Sequence, residues 1–186
     1  SWATPIIVEV DGKPQAIVSG TTAVRGYDLA TGKVVWSCGG LSNNVVASPV
    51  SVDGMLFAGS SYEKQALLAI RLPGAKGDLT ETGNLLWSRR KRTPYVPSFL
   101  LYRDHLYFLR HYQAILTRLA AKTGEEPSGP FRLPELLNLY ASPVAANGRI
   151  YLTDQQGVSL VLDAAAEPKI LGVNRLDEAI NASAAI

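Results

Sequence analysis

The 186-residue chain has a single cysteine, Cys38, and a single methionine. One thiol excludes an internal disulfide framework, so packing and hydrogen bonding must hold the fold. Charge is sparse and nearly balanced, with 18 Lys and Arg against 16 Asp and Glu and a net charge of +2. A surface of that kind has no basic field for tracking a phosphate backbone, and nucleic acid is not an expected partner. No run of about 18 apolar residues occurs, which excludes a helical membrane span, and no charged-then-apolar leader stands at Ser1.

Catalytic motifs are also missing. There is no Gly-x-Ser-x-Gly elbow and no phosphate loop. The carboxylate pairs Glu125-Glu126 and Asp177-Glu178 are neighbours in sequence, and neighbours do not face each other across a cleft as acid and base must. His105 and His111 lack partners at metal-ligand spacing. His105 falls where other units carry the glycine of a hairpin turn, and His111 follows a predicted strand. No catalytic residue and no metal site are assigned.

What the chain does have is a repeat. Short phrases of a small residue, Ser or Thr, then Pro open successive units: Ala3-Thr4-Pro5, Ala47-Ser48-Pro49, Pro97-Ser98-Phe99, Ala141-Ser142-Pro143, and a fifth beginning at Ala182-Ser183-Ala184. Measured between the third positions, the spacings are 44, 50, 44 and 41 residues. After each opening an apolar run meets a turn and returns, as in Val50-Ser-Val-Asp53-Gly54-Met-Leu-Phe57 and Val144-Ala-Ala-Asn147-Gly148-Arg-Ile-Tyr151. Asp-Gly and Asn-Gly between apolar alternations predict primed hairpin turns, because both central residues need positive φ. A third strand follows in each unit, and a fourth after Thr31-Gly32, after Thr82-Gly83 and more weakly after Thr123-Gly124.

Four short strands in a period of about 45 residues describe a β-propeller blade. Helical arrays of this period need long stretches with apolar spacing of three to four, whereas these runs are short, β-branched and broken by Gly, Pro or Asn. Ala114 to Lys122 reads as a helix in isolation, but its place in the repeat predicts a strand. The fold expected is all-β, a propeller of about four four-stranded antiparallel blades over 3–46, 47–96, 97–140 and 141–181, with a further blade begun at 182–186. Because the chain begins and stops inside opening strands, it reads as part of a larger seven- or eight-bladed ring, closed by further blades or by a second copy.

Gly26-Tyr-Asp28-Leu-Ala-Thr31-Gly32-Lys-Val-Val-Trp36 resembles the repeat of the pyrroloquinoline-quinone-type propellers, departing from its consensus Ala only at Gly26. The second unit keeps Thr82, Gly83 and Trp87 behind an insertion, Leu72-Pro-Gly-Ala-Lys-Gly-Asp78-Leu. The third keeps Thr123-Gly124 but has Ala120 for the Asp and Ser128 for the Trp, and the fourth is degenerate. In chemical terms the motif is architectural: Gly tolerates positive φ, Asp accepts from turn amides, and Trp supplies a large flat body. The resemblance implies that the tryptophans dock between blades.

The resemblance also places the opening strand innermost, so residues just ahead of it lie near the axis. Asn44, Arg90, Arg92, Tyr95, Asn138, Tyr140, Arg175 and Asn181 recur there as candidate ligand- or partner-binding residues. Arg90 or Arg92 beside Tyr95 would clamp a planar carboxylate. Two functions are compatible with such a propeller. One is a non-enzymatic scaffold binding a protein or carbohydrate at its axial face, similar to the bacterial propeller lipoprotein that assists outer-membrane protein assembly. The alternative is part of a quinoprotein dehydrogenase, which would bring pyrroloquinoline quinone with calcium; the scaffold requires no cofactor. Both imply an extracytoplasmic, periplasmic setting.

Overall fold

Positive φ at both residues of Asp11-Gly12 (49° and 74°), Asp53-Gly54 (48° and 72°) and Asn147-Gly148 (50° and 76°) turns the chain back on itself at three equivalent points. That geometry has the twist of the antiparallel strands it joins. The equivalent fourth turn, Arg103-Asp104, differs in taking positive φ at Arg103 (53°) and not at Asp104. Tyr102 pairs with His105 across it. The expectation that His105 fills the glycine slot is therefore corrected: Asp104 fills it, and His105 begins the returning strand.

The computed structural model describes residues 1–110 and 113–186, so the reading of His111 lies outside the described residues. Among the described residues there is no helix. The first sheet runs β1 (Ile6–Val10), β2 (Lys13–Ser19), β3 (Ala23–Asp28) and β4 (Val34–Gly39), each antiparallel to the next. The second holds β5 (Val50–Val52), β6 (Met55–Ser60) and β7 (Ala66–Arg71). The inserted segment then leaves that sheet, and its strand β8 (Gly77–Asp78) pairs in parallel with β4 of the first, Trp36 opposite Gly77. Strand β9 (Leu85–Arg89) returns to complete the second sheet beside β7. The first sheet is thus five-stranded rather than four, because the insertion covers its outer edge.

The third sheet is β10 (Leu100–Tyr102), β11 (His105–Leu109), β12 (Ile115–Ala120) and the two-residue β13 (Phe131–Arg132). The fourth is β14 (Val144–Ala146), β15 (Arg149–Thr153), β16 (Val158–Asp163) and β17 (Ile170–Arg175). Of residues 114–122, ambiguous by pattern, Ile115–Ala120 form strand β12. In sheets one, two and four the pairing of the third strand with the fourth antiparallel strand shifts register at one place, between Gly26 and Tyr27, Ala69 and Ile70, and Val161 and Leu162. These are β-bulges, which sharpen local twist.

The chain forms two compact units, Ser1–Tyr95 and Val96–Ile186. In the first, Val10, Ile17, Val24 and Trp36 of sheet one pack with Leu56, Ala58, Leu68 and Ile70 of sheet two, and the insertion adds Leu72, Ala75 and Leu79. In the second, Tyr107, Leu109 and Leu116 of sheet three pack with Ile150, Leu152, Leu160 and Leu162 of sheet four. Alternating burial along β2 and β16 matches the period of two that their sequences display.

Candidate functional site

The repeat motif is best formed in the first sheet. Asp28 Oδ1 accepts the Thr31 amide at 2.8 Å and the Thr31 hydroxyl at 2.7 Å, while Gly32, at φ 69°, donates its amide to Asp28 O at 2.8 Å. The Thr31 hydroxyl and then its amide hold the Asp28 carboxyl below the usual range. In the third sheet Gly124, at φ 71°, donates to Ala120 O at the same 2.8 Å, so the backbone turn persists without the aspartate. Gly83 does not take positive φ. There Thr82 instead donates its hydroxyl to Leu79 O and accepts the Asn84 amide.

Trp36 is fully buried and donates its indole N–H to Gln15 Oε1 at 2.9 Å. Its ring lies on Gly26, where an added Cβ would fall 2.3 Å from Nε1. The one departure from the repeat consensus thus has a steric reason. Trp87 is half-buried and tilts against Phe57, ring centroids 5.9 Å apart.

The opening phrases are joined by their hydroxyls. Ser48 Oγ accepts the Thr4 amide at 2.9 Å, Ser142 Oγ the Ser98 amide at 3.0 Å, and Ser183 Oγ the Ser142 amide at 2.9 Å. Each serine thereby ties its own phrase to the one before it.

Strand alternation brings the candidate binding residues to one end of each unit. In the first unit Asn44 lies in a loop whose amides bond Ser42 Oγ and, at Asn43, Glu63 Oε2. Arg90 donates from Nη1 to Gly40 O at 2.8 Å, and its guanidinium covers Gly40. Arg92, at φ 48°, donates its amide to Gln65 Oε1 at 2.6 Å. Tyr95 stacks on Tyr62, centroids 5.6 Å apart and rings 16° from parallel, with Tyr62 57% exposed. The aromatic partner of Tyr95 is therefore Tyr62, a residue of the loop between β6 and β7. The signal that finds it is topological: that loop emerges at the same end as the segments preceding the opening strands.

In the second unit Asn138, at φ 50°, accepts the Gln155 amide on its carbonyl at 3.3 Å. Asn181 Oδ1 accepts from Gln155 Nε2 at 2.6 Å, and Arg175 pairs with Glu135 at 3.0 Å in an exposed position. Tyr140 is 37% exposed. Gln155 gathers Asn138 and Asn181, and Arg175 stands apart on β17. Beside them buried Asp154 accepts three amides, from Leu137, Gln156 and Val158, at 2.8 to 2.9 Å. An open cleft of about 540 Å³ runs past Gln113, Ile115, Arg132, Leu136 and Asn138.

Among the described residues no three His, Cys, Asp or Glu side chains converge as a metal site, and no helix is long and apolar enough to cross a membrane. A sequence model described as outer membrane protein assembly factor BamB matches residues 2–184. The chain belongs to the BamB family.

The BamB-family repeat accounts for the four sheets as propeller blades, and solved structures agree on the fold. The chain is similar to the computationally designed Ika8 protein, at 12% identity and TM-score 0.68 over 95% of this chain and 50% of that one. It is similar to BamB from Moraxella catarrhalis, at 17% identity and TM-score 0.52 over 97% and 63%. Quinohemoprotein alcohol dehydrogenase from Comamonas testosteroni aligns at 14% identity and TM-score 0.63 over 91% and 34%. The chain therefore spans less than two thirds of each of these structures. No curated protein matches at a significant level.

Proposed function

We propose that this BamB-family chain is part of a non-enzymatic, periplasmic scaffold that binds a protein partner at the loop end of its blades. The observation that carries the reading is the Tyr62–Tyr95 stack, an aromatic pair with Tyr62 57% exposed. Aromatic anchors dominate protein interfaces because they bury large area at little entropic expense. The family description, an assembly factor, supports a partner that is a protein. Arg90 and Arg92 precede Tyr95 in its own loop and Asn44 lies in the loop after β4, as polar candidates of the first unit; Asn138, Tyr140, Arg175 and Asn181 are those of the second.

The test uses the full-length protein in its native host, with a photo-crosslinking residue at Tyr62 and, as control, at Lys13 on the opposite hairpin end. An adduct with an envelope protein from position 62 that position 13 does not give, weakened at least several-fold by Tyr95→Ala, supports the scaffold. An adduct with polysaccharide alone, or equal adducts from both positions, overturns it.

A further inference from the structure

The third sheet lacks the tryptophan that packs the first. Its sequence counterpart, Ser128, lies outside any strand and donates its hydroxyl to Ala166 O. The register shows what replaces it. In the first sheet Gln15 faces Asp28 and Ile17 faces Gly26. In the third, His105 faces Ala120 and Tyr107 faces Arg118. Asp28 and Ala120 are equivalent, since each accepts the amide of the following turn glycine at 2.8 Å. His105 therefore holds the slot of Gln15, Tyr107 that of Ile17, and Arg118 that of Gly26.

Where Gly26 leaves room for an incoming indole, the third sheet carries the long side chain of Arg118. Arg118 is buried, with 8% of its surface exposed. Its Nη2 lies 2.7 Å from His105 Nε2 and its Nε donates to the Tyr107 hydroxyl at 3.3 Å. In sheet one a buried donor, the Trp36 indole, bonds the acceptor Gln15; in sheet three a buried donor, the Arg118 guanidinium, bonds an acceptor in the same slot. Guanidinium only donates, so His105 Nε2 must be the unprotonated nitrogen and Nδ1 carries the proton.

We propose that Arg118 and His105 form a polar staple in place of the missing tryptophan, and that this staple is a proton-sensitive catch: it holds the third blade while His105 is neutral and opens when Nε2 takes a proton. Protonation would consume the lone pair that accepts from Arg118 and leave two cations 2.7 Å apart. Arg118 faces the His105 ring from β12, and Asp104 precedes it in the turn. Tyr107 lies 6.4 Å away, and Tyr102 stands opposite with Arg103 over its ring. From the sheet that packs on this side, the Gly148 amide donates to the Tyr102 hydroxyl. Burial first, then the Arg118 charge, holds the His105 imidazole below its ordinary value, and Asp104 opposes them.

A histidine with a lowered folded-state value binds its proton more readily when unfolded. Its contribution to stability is present above the ordinary histidine value and is lost as pH falls through the lowered one. The experiment follows the imidazole C–H resonances of the full chain between about pH 8 and pH 5, with His111→Gln assigning the two signals, and records Tm over the same range. His105 is expected to titrate below the ordinary value of about 6.5, and to move back toward it in Arg118→Met. His105→Gln, which restores the residue of the Gln15 slot, is expected to keep the Tm of the parent at high pH and to lose less of it on acidification. An ordinary or raised titration of His105 overturns the catch even if neither variant folds, and so does an equal acid loss of Tm in His105→Gln.

Discussion

Ser142 Oγ accepts the Ser98 backbone amide at 3.0 Å, and Ser142 in turn donates its own amide to Ser183 Oγ at 2.9 Å. One residue thus serves as acceptor through its side chain and donor through its backbone, joining three successive opening phrases. The same bond links Thr4 to Ser48 in the first unit. The Ser of the repeat is a connector between blades.

Ser142→Ala removes the acceptor and leaves the part-buried Ser98 amide without it. The expected loss is about 1 kcal/mol, the usual net worth of one such bond. It appears as a lower urea midpoint at unchanged slope. Ser142→Thr keeps an oxygen and is expected to lose less. A midpoint unchanged in the alanine variant would show that water replaces the bond without penalty.

Trp36→Ala empties the fully buried position in the first core and leaves Gln15, 5% exposed, without its donor. A loss of about 3 to 5 kcal/mol is expected. Trp87→Ala, at a half-buried site, is expected to cost less. Gly26→Ala tests the same contact from the other side: its new methyl collides with the indole, and overpacking of this kind destabilises by about 1 to 3 kcal/mol. Urea unfolding followed by tryptophan fluorescence reads all three, and equal losses at Trp36 and Trp87 would contradict the difference in burial.

Asp28 and Asp78 are both held below the ordinary carboxylate value, chiefly by the hydroxyls of Thr31 and Thr80. Lowered acids contribute stability above the ordinary value and lose it as pH falls through the folded one. Carboxyl carbon resonances of the two residues are expected to titrate below the ordinary carboxylate value. Thr31→Val raises the Asp28 titration and leaves Asp78 where it was; movement of both together would mean that the shift is not local.

Cys38 is buried, and burial, with Asp78 as the next cause, raises its thiol to about 11. The thiolate is the reactive form. A disulfide reagent at about pH 8 is therefore expected to modify the native protein only as fast as it opens, and the unfolded protein at once. Rapid labelling of the native chain would show that the first core is open at β4.

Much of the blade architecture is legible along the chain because it is local. Primed turns need Asn or Asp before Gly, strands show a period of two, and Thr31-Gly32 with Asp28 closes a corner within five residues. The bulges at Gly26, Ala69 and Val161 carry no comparable signal. The parallel pairing of Gly77 with Trp36 joins positions 41 residues apart, and no composition marks it.

The sequence by itself determined the repeat, its four-strand content and the residues at its turns, because each depends on neighbours a few positions away. Tertiary structure decided which side chains share a slot. Tyr62 meets Tyr95, Gln155 meets Asn138 and Asn181, and Arg118 reaches His105 only because strand register brings distant residues to one face. Register is fixed by how whole faces bury against one another. A pattern read one position at a time cannot supply it.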